Sequence, residues 1–141
     1  MGKITTVYKG DMLFETTMGS HTLLVDVPES MGGSDRGPTP PEVFIASLGT
    51  CVGALVANYC NKTGNISTEA MTIDVTYDKA AEPTRLVNIK VKVNLPHALC
   101  ETREAAIKRV AEHCPVHETM LTLDAIEFDV LDKAALEETA P

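Results

Sequence analysis

The residues of this chain whose types could support redox chemistry or metal binding are four cysteines and four histidines. Cys51 and Cys60 are nine residues apart within one long uncharged segment. On a single helix this spacing places them on opposite sides, about 13 Å apart along the axis. A disulfide needs Cα atoms within about 7 Å of each other. At most one of these two cysteines can therefore belong to any given site.

Cys114 lies where one predicted helix ends and another can begin, because Pro115 cannot continue a helix without the loss of a backbone hydrogen bond. Unpaired N–H groups at a helix N-terminus stabilise a thiolate. The neighbouring His113 and His117 could add positive charge. We therefore expect Cys114 to ionise easily.

Cys51 lies in the middle of the apolar segment, with Gly49 and Gly53 beside it. Such small neighbours permit the close approach of another helix or of a small substrate. A free cysteine more often packs as a small hydrophobic residue. Cys60 and Cys100 are interpreted in that way.

A structural zinc site is an alternative use of His113, Cys114 and His117, with Cys100 as a further ligand. The spacing permits it, but the chain contains no Cys-x-x-Cys or His-Glu-x-x-His pattern. We therefore expect no resident metal or cofactor and keep zinc as the weaker hypothesis.

The elements that must position these residues follow from hydrophobic periodicity and turn signals. The order is β-β-β-α-β-β-α-β, an α+β fold in one domain of residues 1–141, with residues 132–141 as a frayed tail. Val87, Ile89 and Val91 are predicted to share the buried face of their strand. The predicted strands are Ile4–Tyr8, Met12–Thr17, His21–Val27, Met71–Asp78, Val87–Leu95 and Ile126–Val130. The predicted helices run from Thr39 to about Lys62, from Thr102 to His113 or Cys114, and from Pro115 to Met120 or Leu121.

The first helix predicts a partner chain. Its apolar residues are spread around the whole circumference, and a helix that is apolar on all sides must be covered on all sides. One sheet and one more helix would struggle to do that. We therefore predict a homodimer with this helix near its middle. The apolar residues are Phe44, Ile45, Leu48, Cys51, Val52, Leu55, Val56 and Tyr59.

Charge and composition exclude several functions. The net charge is −8 and no Lys/Arg cluster stands out, which argues against binding to nucleic acid or to an anionic membrane. The N-terminus shows no apolar secretory segment. We therefore expect a cytoplasmic protein with reduced thiols. The uncharged segment Val43–Asn61 approaches the length of a membrane span, but its small and polar residues favour a buried core helix.

Two motifs resemble the OsmC/Ohr family. Gly37-Pro38-Thr39-Pro40-Pro41-Glu42, followed by Gly49-Thr50-Cys51, is similar to its central-helix signature, and Cys114-Pro115-Val116-His117-Glu118-Thr119-Met120 is similar to its second cysteine motif. The order of elements matches along nearly the whole chain. The resemblance implies an intertwined homodimer in which two sheets wrap a pair of central helices, with two sites at the interface.

The resemblance also implies an activity, the reduction of organic hydroperoxides in oxidative-stress defence. Cys51 would attack the peroxide and become a sulfenic acid, and Cys114 would resolve it as a disulfide. An external dithiol, such as a protein-bound lipoyl group, would then reduce that disulfide.

The chain departs from the peroxidase branch of the family at the charged pair that activates the nucleophile. That branch has a Glu ten residues before the cysteine, where this chain has Pro41; its acid, Glu42, is nine residues before Cys51. Glu42 could reach the partner's site or only complement the helix dipole. The family's Arg lies in the first hairpin, which here holds none, so Arg36 is the nearest candidate. These departures keep open a second function, a non-enzymatic protein that binds a small hydrophobic or thiol ligand.

Overall fold

The computed structural model describes residues 1–139. Within them, two antiparallel sheets and four α-helices form the α+β fold that the sequence predicts. The first sheet has the order β1-β2-β3 and the second consists of β4 and β5. The strands are β1 Thr5–Gly10, β2 Leu13–Met18, β3 His21–Val25, β4 Thr72–Ala81 and β5 Thr84–Asn94. The helices are α1 Pro40–Thr63, α2 Glu104–Glu112, α3 Pro115–Thr122 and α4 Lys133–Thr139.

The long helix α1 begins and ends where its sequence directs. Thr39 is the N-cap residue, with prolines in the first turn. The Glu42 carboxylate accepts hydrogen bonds from the Thr39 backbone N–H (2.7 Å) and hydroxyl (2.9 Å), as part of a capping box. Gly64 ends the helix with φ 70° and donates its N–H to the Cys60 carbonyl at 3.3 Å. A glycine adopts this left-handed conformation without the steric cost of a Cβ atom.

The glycines of α1 face strand β4. A Cβ atom added at Gly49 would lie 3.3 Å from Val75 Cγ2, and one added at Gly53 would lie 3.2 Å from Ile73 Cγ1. Both contacts are tight, so the absence of side chains at these two positions lets the helix lie directly on the sheet. Within the protomer, the close approach that the sequence predicts is therefore to a strand.

The core lies where α1 packs against β4, α2 and α3. Val52 and Val56 are 2% and 0% exposed, and burying one such side chain stabilises the fold by about 1.5–3 kcal/mol. Two thiols belong to the same core, because Cys60 and Cys114 are both completely buried. The buried cluster consists of Leu48, Val52, Val56, Cys60, Ile66, Ile107 and Cys114.

A β-bulge in β5 changes which of its side chains face the helices. Asn88 has φ 52°, and the register shifts so that Thr76 pairs with Lys90 while Asp78 pairs with Val87. Directly paired residues share a face of the sheet. Val87 therefore lies on the polar face with Lys90, and the prediction that it shares a face with Ile89 is wrong.

The sheet formed by β1, β2 and β3, hereafter the N-terminal sheet, has no extensive interface with the rest of the described chain. Val7 and Tyr8 are neighbours in β1 and point to opposite faces. They are 48% and 59% exposed. Both faces of the N-terminal sheet are therefore largely uncovered in a single protomer.

The C-terminal region differs from the predictions. Ile126–Val130 forms no strand, although its alternating pattern favours one, and Phe128 and Val130 are 86% and 94% exposed. No sheet edge of the protomer pairs with it among the described residues. The expected frayed tail instead contains helix α4, where the Asp132 side chain accepts a hydrogen bond from the Ala135 N–H at 3.0 Å. Residues 140–141 of that tail lie outside the described part of the chain.

Candidate active site

The structure brings Cys51 and Cys114 together. Cys51 is half-buried on α1, whereas Cys114 is fully buried at the N-cap position of α3. Cys51 packs against the buried cluster that contains Cys114, and its sulfur is near enough to raise the pKa of Cys114. All four cysteines are free thiols. The packing of α3 against α1 thus produces a pair of neighbouring thiols with unequal exposure.

Burial determines the acidity of Cys114. Burial raises the pKa of this thiol most, the neighbouring Cys51 raises it further, and the backbone N–H groups of His117 and Val116 lower it. The net shift is upward. The prediction that Cys114 ionises easily is therefore wrong. The free-energy cost of removing a thiolate from water exceeds the stabilisation that the backbone N–H groups at the start of α3 provide.

The nearness of Cys51 also affects Cys114. Negative charge on the Cys51 sulfur raises the pKa of Cys114, which adds to the effect of burial and favours the protonated form of this thiol.

An apolar groove of about 600 Å³, hereafter the Phe44 groove, lies between α1, β5 and α3, and neither thiol is part of its lining. Phe44 precedes Cys51 by seven residues, which places both on one side of α1. Pro115 and Val116 directly follow Cys114 and line the same groove. The complete lining is Phe44, Arg85, Leu86, Ile89, Pro115, Val116, Thr119, Met120 and Leu123.

Sequence reasoning did not identify the Phe44 groove. The spacing of seven residues between Phe44 and Cys51 was the available signal for its helical wall. Arg85 is the only charged residue in its lining, and nothing in the sequence around the second hairpin indicates that it reaches the cysteine helices.

Glu42 caps its own helix. Its carboxylate accepts both hydrogen bonds from Thr39 described above, and these bonds lower its pKa, with a smaller contribution from the positive charge of Lys79. Lys79 lies on β4, and the sequence analysis did not select it. Within one protomer the contacts of Glu42 are those of a helix cap, and they do not include Cys51.

Arg36 is engaged on the side of the N-terminal sheet. Its Nε donates to the Asp26 carboxylate at 2.7 Å and its Nη2 donates to the Asp11 carbonyl at 2.8 Å. Asp26 is completely buried, and the hydrogen bond from Arg36 is the largest of the effects that hold its pKa far below its usual range. The structure therefore pairs Arg36 with Asp26 rather than with Glu42 or Cys51.

Two further backbone N–H groups, of Val27 and Ser34, donate to Asp26 at 2.8 and 3.3 Å. They fix the loop between β3 and α1, so the Arg36–Asp26 pair positions the N-terminal sheet at the start of the cysteine helix.

The zinc alternative gains no support from the geometry. His113 and His117 each place Nδ1 against a backbone carbonyl, of Arg109 at 2.7 Å and of Glu112 at 2.6 Å. Across residues 1–139, no group of three or more histidine, cysteine or acidic side chains is placed to hold a metal ion.

A larger cavity of about 1080 Å³, hereafter the α2 cavity, lies between α1, β5, α2 and α3. Its floor is apolar and includes Leu48, Val52 and Val93. Its rim carries Glu104, Lys108 and other charged residues of α2. Such a cavity could hold a hydrophobic molecule of moderate size.

Together, the fold and site define an α+β protein whose central helix presents one member of a pair of thiols. The family model for OsmC-like proteins matches residues 32–129, which include both cysteines. The chain belongs to the OsmC-like protein family. No curated protein matches it significantly in sequence.

Solved structures show the same fold at low sequence identity. A Psychrobacter arcticus protein, named for an osmotic stress induced and detoxification response, is 20% identical with a TM-score of 0.75, over 84% of this chain and 88% of that one. An OsmC-like protein from Mycoplasma pneumoniae is 21% identical with a TM-score of 0.67, over 87% and 89%. The organic hydroperoxide resistance protein OhrB of Bacillus subtilis is 16% identical with a TM-score of 0.58, over 85% and 90%.

The family assignment also bears on α1. This helix is long and apolar enough to cross a membrane by length and composition alone. In the structure it packs against β4, α2 and α3 and carries most of the buried cluster. It is accordingly the core helix of an OsmC fold.

Proposed function

We propose that this protein is a thiol-dependent peroxidase that reduces organic hydroperoxides, with Cys51 as nucleophile and Cys114 as resolving cysteine. The observation that supports this most strongly is the nearness of the two thiols within one packed core. A sulfenic acid formed on one sulfur would have the second thiol within reach, which is the requirement for converting it into a disulfide.

The proposed reaction transfers two electrons from the thiol pair to the peroxide. The Cys51 thiolate sulfur attacks the terminal oxygen of the hydroperoxide, the O–O bond breaks, and the alcohol leaves with a proton. This leaves Cys51 as a sulfenic acid. The Cys114 sulfur then attacks the Cys51 sulfur, the S–O bond breaks, and water leaves with the Cys114 proton. The product is a disulfide between the two residues.

Unequal exposure supports this assignment of roles. Cys51 is half-buried on the same side of α1 as Phe44, which lines the Phe44 groove, whereas Cys114 is 0% exposed. An incoming peroxide would meet Cys51 first. The apolar walls of the groove favour a peroxide that carries a hydrocarbon group over hydrogen peroxide, because such a group gains free energy when it leaves water.

The catalytic cycle needs an external reductant and no resident cofactor. We propose a dithiol, such as a protein-bound lipoyl group. Its thiolate attacks one sulfur of the disulfide, and its second thiol completes the exchange. The dithiol would leave oxidised and both cysteines would return to the thiol form.

We propose that the working form is a homodimer. The N-terminal sheet has two uncovered faces, and Ile126–Val130 is extended and exposed. One side of α1 is also uncovered in the protomer and carries small or polar residues, so the prediction that apolar residues surround the whole helix is wrong. A second copy could cover all three surfaces. The exposed positions on that side of α1 are Ser47, Thr50, Ala54, Asn58 and Asn61.

The dimer would decide the roles of Glu42 and Arg36. In the protomer these residues contact Thr39 and Asp26. We propose that any effect of theirs on the thiol pair acts across the dimer, on the site of the other copy. We also place the protein in the reducing cytoplasm, where its four free thiols would persist.

The second candidate function is non-enzymatic binding of a small hydrophobic or thiol ligand. The α2 cavity, at about 1080 Å³, favours it. Arg36, the cation that could have activated the nucleophile, is engaged by Asp26. In this case the cysteines would serve only as part of the apolar core.

One experiment separates the two functions. Reduced protein is mixed with one equivalent of cumene hydroperoxide, free thiols are counted, and disulfides are mapped by mass spectrometry. The peroxidase predicts the loss of two thiols per chain, recovered as a Cys51–Cys114 bond, with turnover when dihydrolipoamide is supplied. Unchanged thiols over minutes, with a hydrophobic ligand still bound, would support the binding protein.

Variants test the two roles separately. Cys51→Ser should leave Cys114 unoxidised, whereas Cys114→Ser should retain a single turnover at Cys51 and accumulate there a sulfenic acid that dimedone traps. Cys60→Ala is the matched control. It changes another buried cysteine of the same core and should preserve the activity. Trapping of the sulfenic acid on Cys114 in the Cys51→Ser variant would reverse the assigned roles.

A further inference from the structure

The two cysteines that the proposed function does not use, Cys60 and Cys100, lie at the opposite end of the same pair of helices. Cys51 and Cys60 are separated by nine residues of α1, a rise of about 13.5 Å. Helix α2 also has nine residues, and it separates the turn that follows Cys100 from Cys114 by about the same distance along its axis. If α2 runs antiparallel to α1, the end of α2 lies near Cys51 and its start lies near Cys60. Cys114, which follows the end of α2, is then near Cys51, and Cys100, which precedes its start, is near Cys60.

Other contacts agree with this placement. Cys60 belongs to the buried cluster, and Cys100 packs against that cluster. Ile107, which lies on α2 seven residues after Cys100, is a member of the same cluster. The negative charge of a Cys100 thiolate raises the pKa of Cys60, second only to burial. An antiparallel orientation agrees with these contacts, because a parallel α2 would carry Cys100 toward the start of α1.

The two thiols differ in access as the first pair does. Cys60 is completely buried, whereas Cys100 is half-buried and lines the α2 cavity. A small oxidant that enters this cavity meets the Cys100 sulfur and not that of Cys60.

The short turn that carries Cys100 is under local strain. Glu101, the next residue, has φ 48°, in the left-handed region that non-glycine residues rarely adopt. Arg103 in the same turn has a buried Nη1 atom with no hydrogen-bond partner among the described residues. Both features cost free energy. A shift of this turn toward Cys60 would therefore cost little free energy.

We propose that Cys60 and Cys100 form a second oxidisable dithiol, independent of Cys51 and Cys114, whose disulfide joins the end of α1 to the turn before α2. The oxidant is a hydroperoxide that enters the α2 cavity. The Cys100 thiolate attacks its terminal oxygen, the O–O bond breaks, and an alcohol leaves with a proton. The Cys60 sulfur then displaces water from the Cys100 sulfenic acid, and its own proton leaves with that water.

The expected consequence is mechanical. A disulfide at this position closes the chain from Cys60 to Cys100, which includes the whole β4–β5 hairpin. Cross-linking a long loop restricts the unfolded chain and raises stability. The oxidised protein should resist unfolding better than the reduced one and should lose that gain when a dithiol reductant is added.

The test uses a variant that lacks the first pair, Cys51→Ser/Cys114→Ser, so that it does not depend on the peroxidase function. After treatment of the reduced variant with cumene hydroperoxide, we expect the loss of both remaining thiols, a Cys60–Cys100 peptide in non-reducing mass spectrometry, and a higher Tm. Adding Cys60→Ala is the control, and it should leave Cys100 as a sulfenic acid that dimedone traps.

The proposal is overturned if Cys100 in the double variant stops at the sulfenic acid, or if both thiols survive. The wild-type protein with two equivalents of peroxide supplies a check that needs no mutation, because both disulfides should then appear. A Cys60–Cys100 bond without a Cys51–Cys114 bond would refute the peroxidase proposal alone, and the reverse result would refute this one alone.

Discussion

Burial gives two chemically identical side chains different environments. It is the main reason that the pKa of Cys114 is raised, so this thiol stays protonated. Cys51 is half-buried whereas Cys114 is completely buried, so Cys51 is the thiol that a peroxide can reach.

The raised pKa of Cys114 predicts a loss of stability in alkali. A folded-state pKa above the ordinary value of 9.0 means that the folded protein holds this proton more tightly than the unfolded chain. The stabilising contribution is complete below pH 9 and is lost as the pH rises through the folded pKa.

We therefore expect the free energy of unfolding of the reduced protein to fall above about pH 9, and to fall less in Cys114→Ala. Urea unfolding at a series of pH values measures this. Cys60, whose pKa is also raised by burial, contributes with the same sign, so the slope should decrease rather than vanish. An identical pH profile in both proteins would contradict the assignment.

Glu42→Gln distinguishes the two roles that the sequence leaves open for Glu42. Glutamine at this position of a capping box still accepts a hydrogen bond from the cap residue, so stability should change by less than about 0.5 kcal/mol. A role limited to capping predicts an unchanged rate of peroxide reduction, and this is the result we expect. A large fall in kcat/KM with unchanged Tm would instead show that the carboxylate acts on a thiol pair across the dimer.

At the residue level, the sequence selects two of the four cysteines but does not reveal how their environment affects them. The two motifs that resemble the OsmC/Ohr family select Cys51 and Cys114 by type and spacing. The acidity of Cys114 depends on how completely α1 and α3 exclude water, which no local pattern reveals. The same is true of Arg36, because its partner Asp26 lies ten residues earlier, at the start of the same loop.

At the level of elements, the loop before α1 connects the N-terminal sheet to the cysteine helix. Asp26 anchors it with its carboxylate, and the Asp26 N–H donates to the Pro38 carbonyl at 3.2 Å. Gly37 lies directly against β3. A Cβ atom at Gly37 would lie 2.5 Å from the Leu24 carbonyl oxygen, which is backbone and cannot turn aside.

Gly37→Ala should accordingly destabilise the protein by about 1–3 kcal/mol, the usual cost of overpacking a tight contact. Thermal or urea unfolding measures the effect. The matched control is Gly2→Ala, since a Cβ atom there meets nothing within 4 Å, and its stability should match the wild type. Equal stability of the wild type, Gly37→Ala and Gly2→Ala would show that the loop backbone can move to accommodate the added Cβ atom.

The elements that sequence reasoning predicted best are those with local signals. The start and end of α1 follow from Thr39, the adjacent prolines and Gly64, each of which acts within one turn of helix. The bulge at Asn88 and the missing strand at Ile126–Val130 depend on pairing with residues distant in sequence. In both cases an alternating pattern was correctly seen, but the pairing that gives it meaning was not encoded locally.

At the level of the whole molecule, the protomer leaves apolar surface that a second copy should cover. Phe128 is 86% exposed on a segment that alternates apolar and acidic residues. Phe128→Asp should shift the protein from dimer to monomer in light scattering and lower Tm, because a charge cannot be buried there without a partner. Glu127→Gln, one residue away on the other side of the alternation, should remain dimeric. A monomeric wild-type protein would refute the dimer directly.

The exposed segment Ile126–Val130 also affects the chain before assembly. An extended segment with exposed backbone N–H and C=O groups can form β-sheet hydrogen bonds with other chains, and the exposed apolar side chains of Phe128 and Val130 favour such aggregation. Glu127 and Asp129 alternate with these apolar residues, and a stack of identical ribbons would place like charges directly above one another. The acidic residues should therefore oppose aggregation of newly synthesised chains through this segment. Neutralising both should make overproduced protein collect in inclusion bodies even though the finished assembly is unharmed.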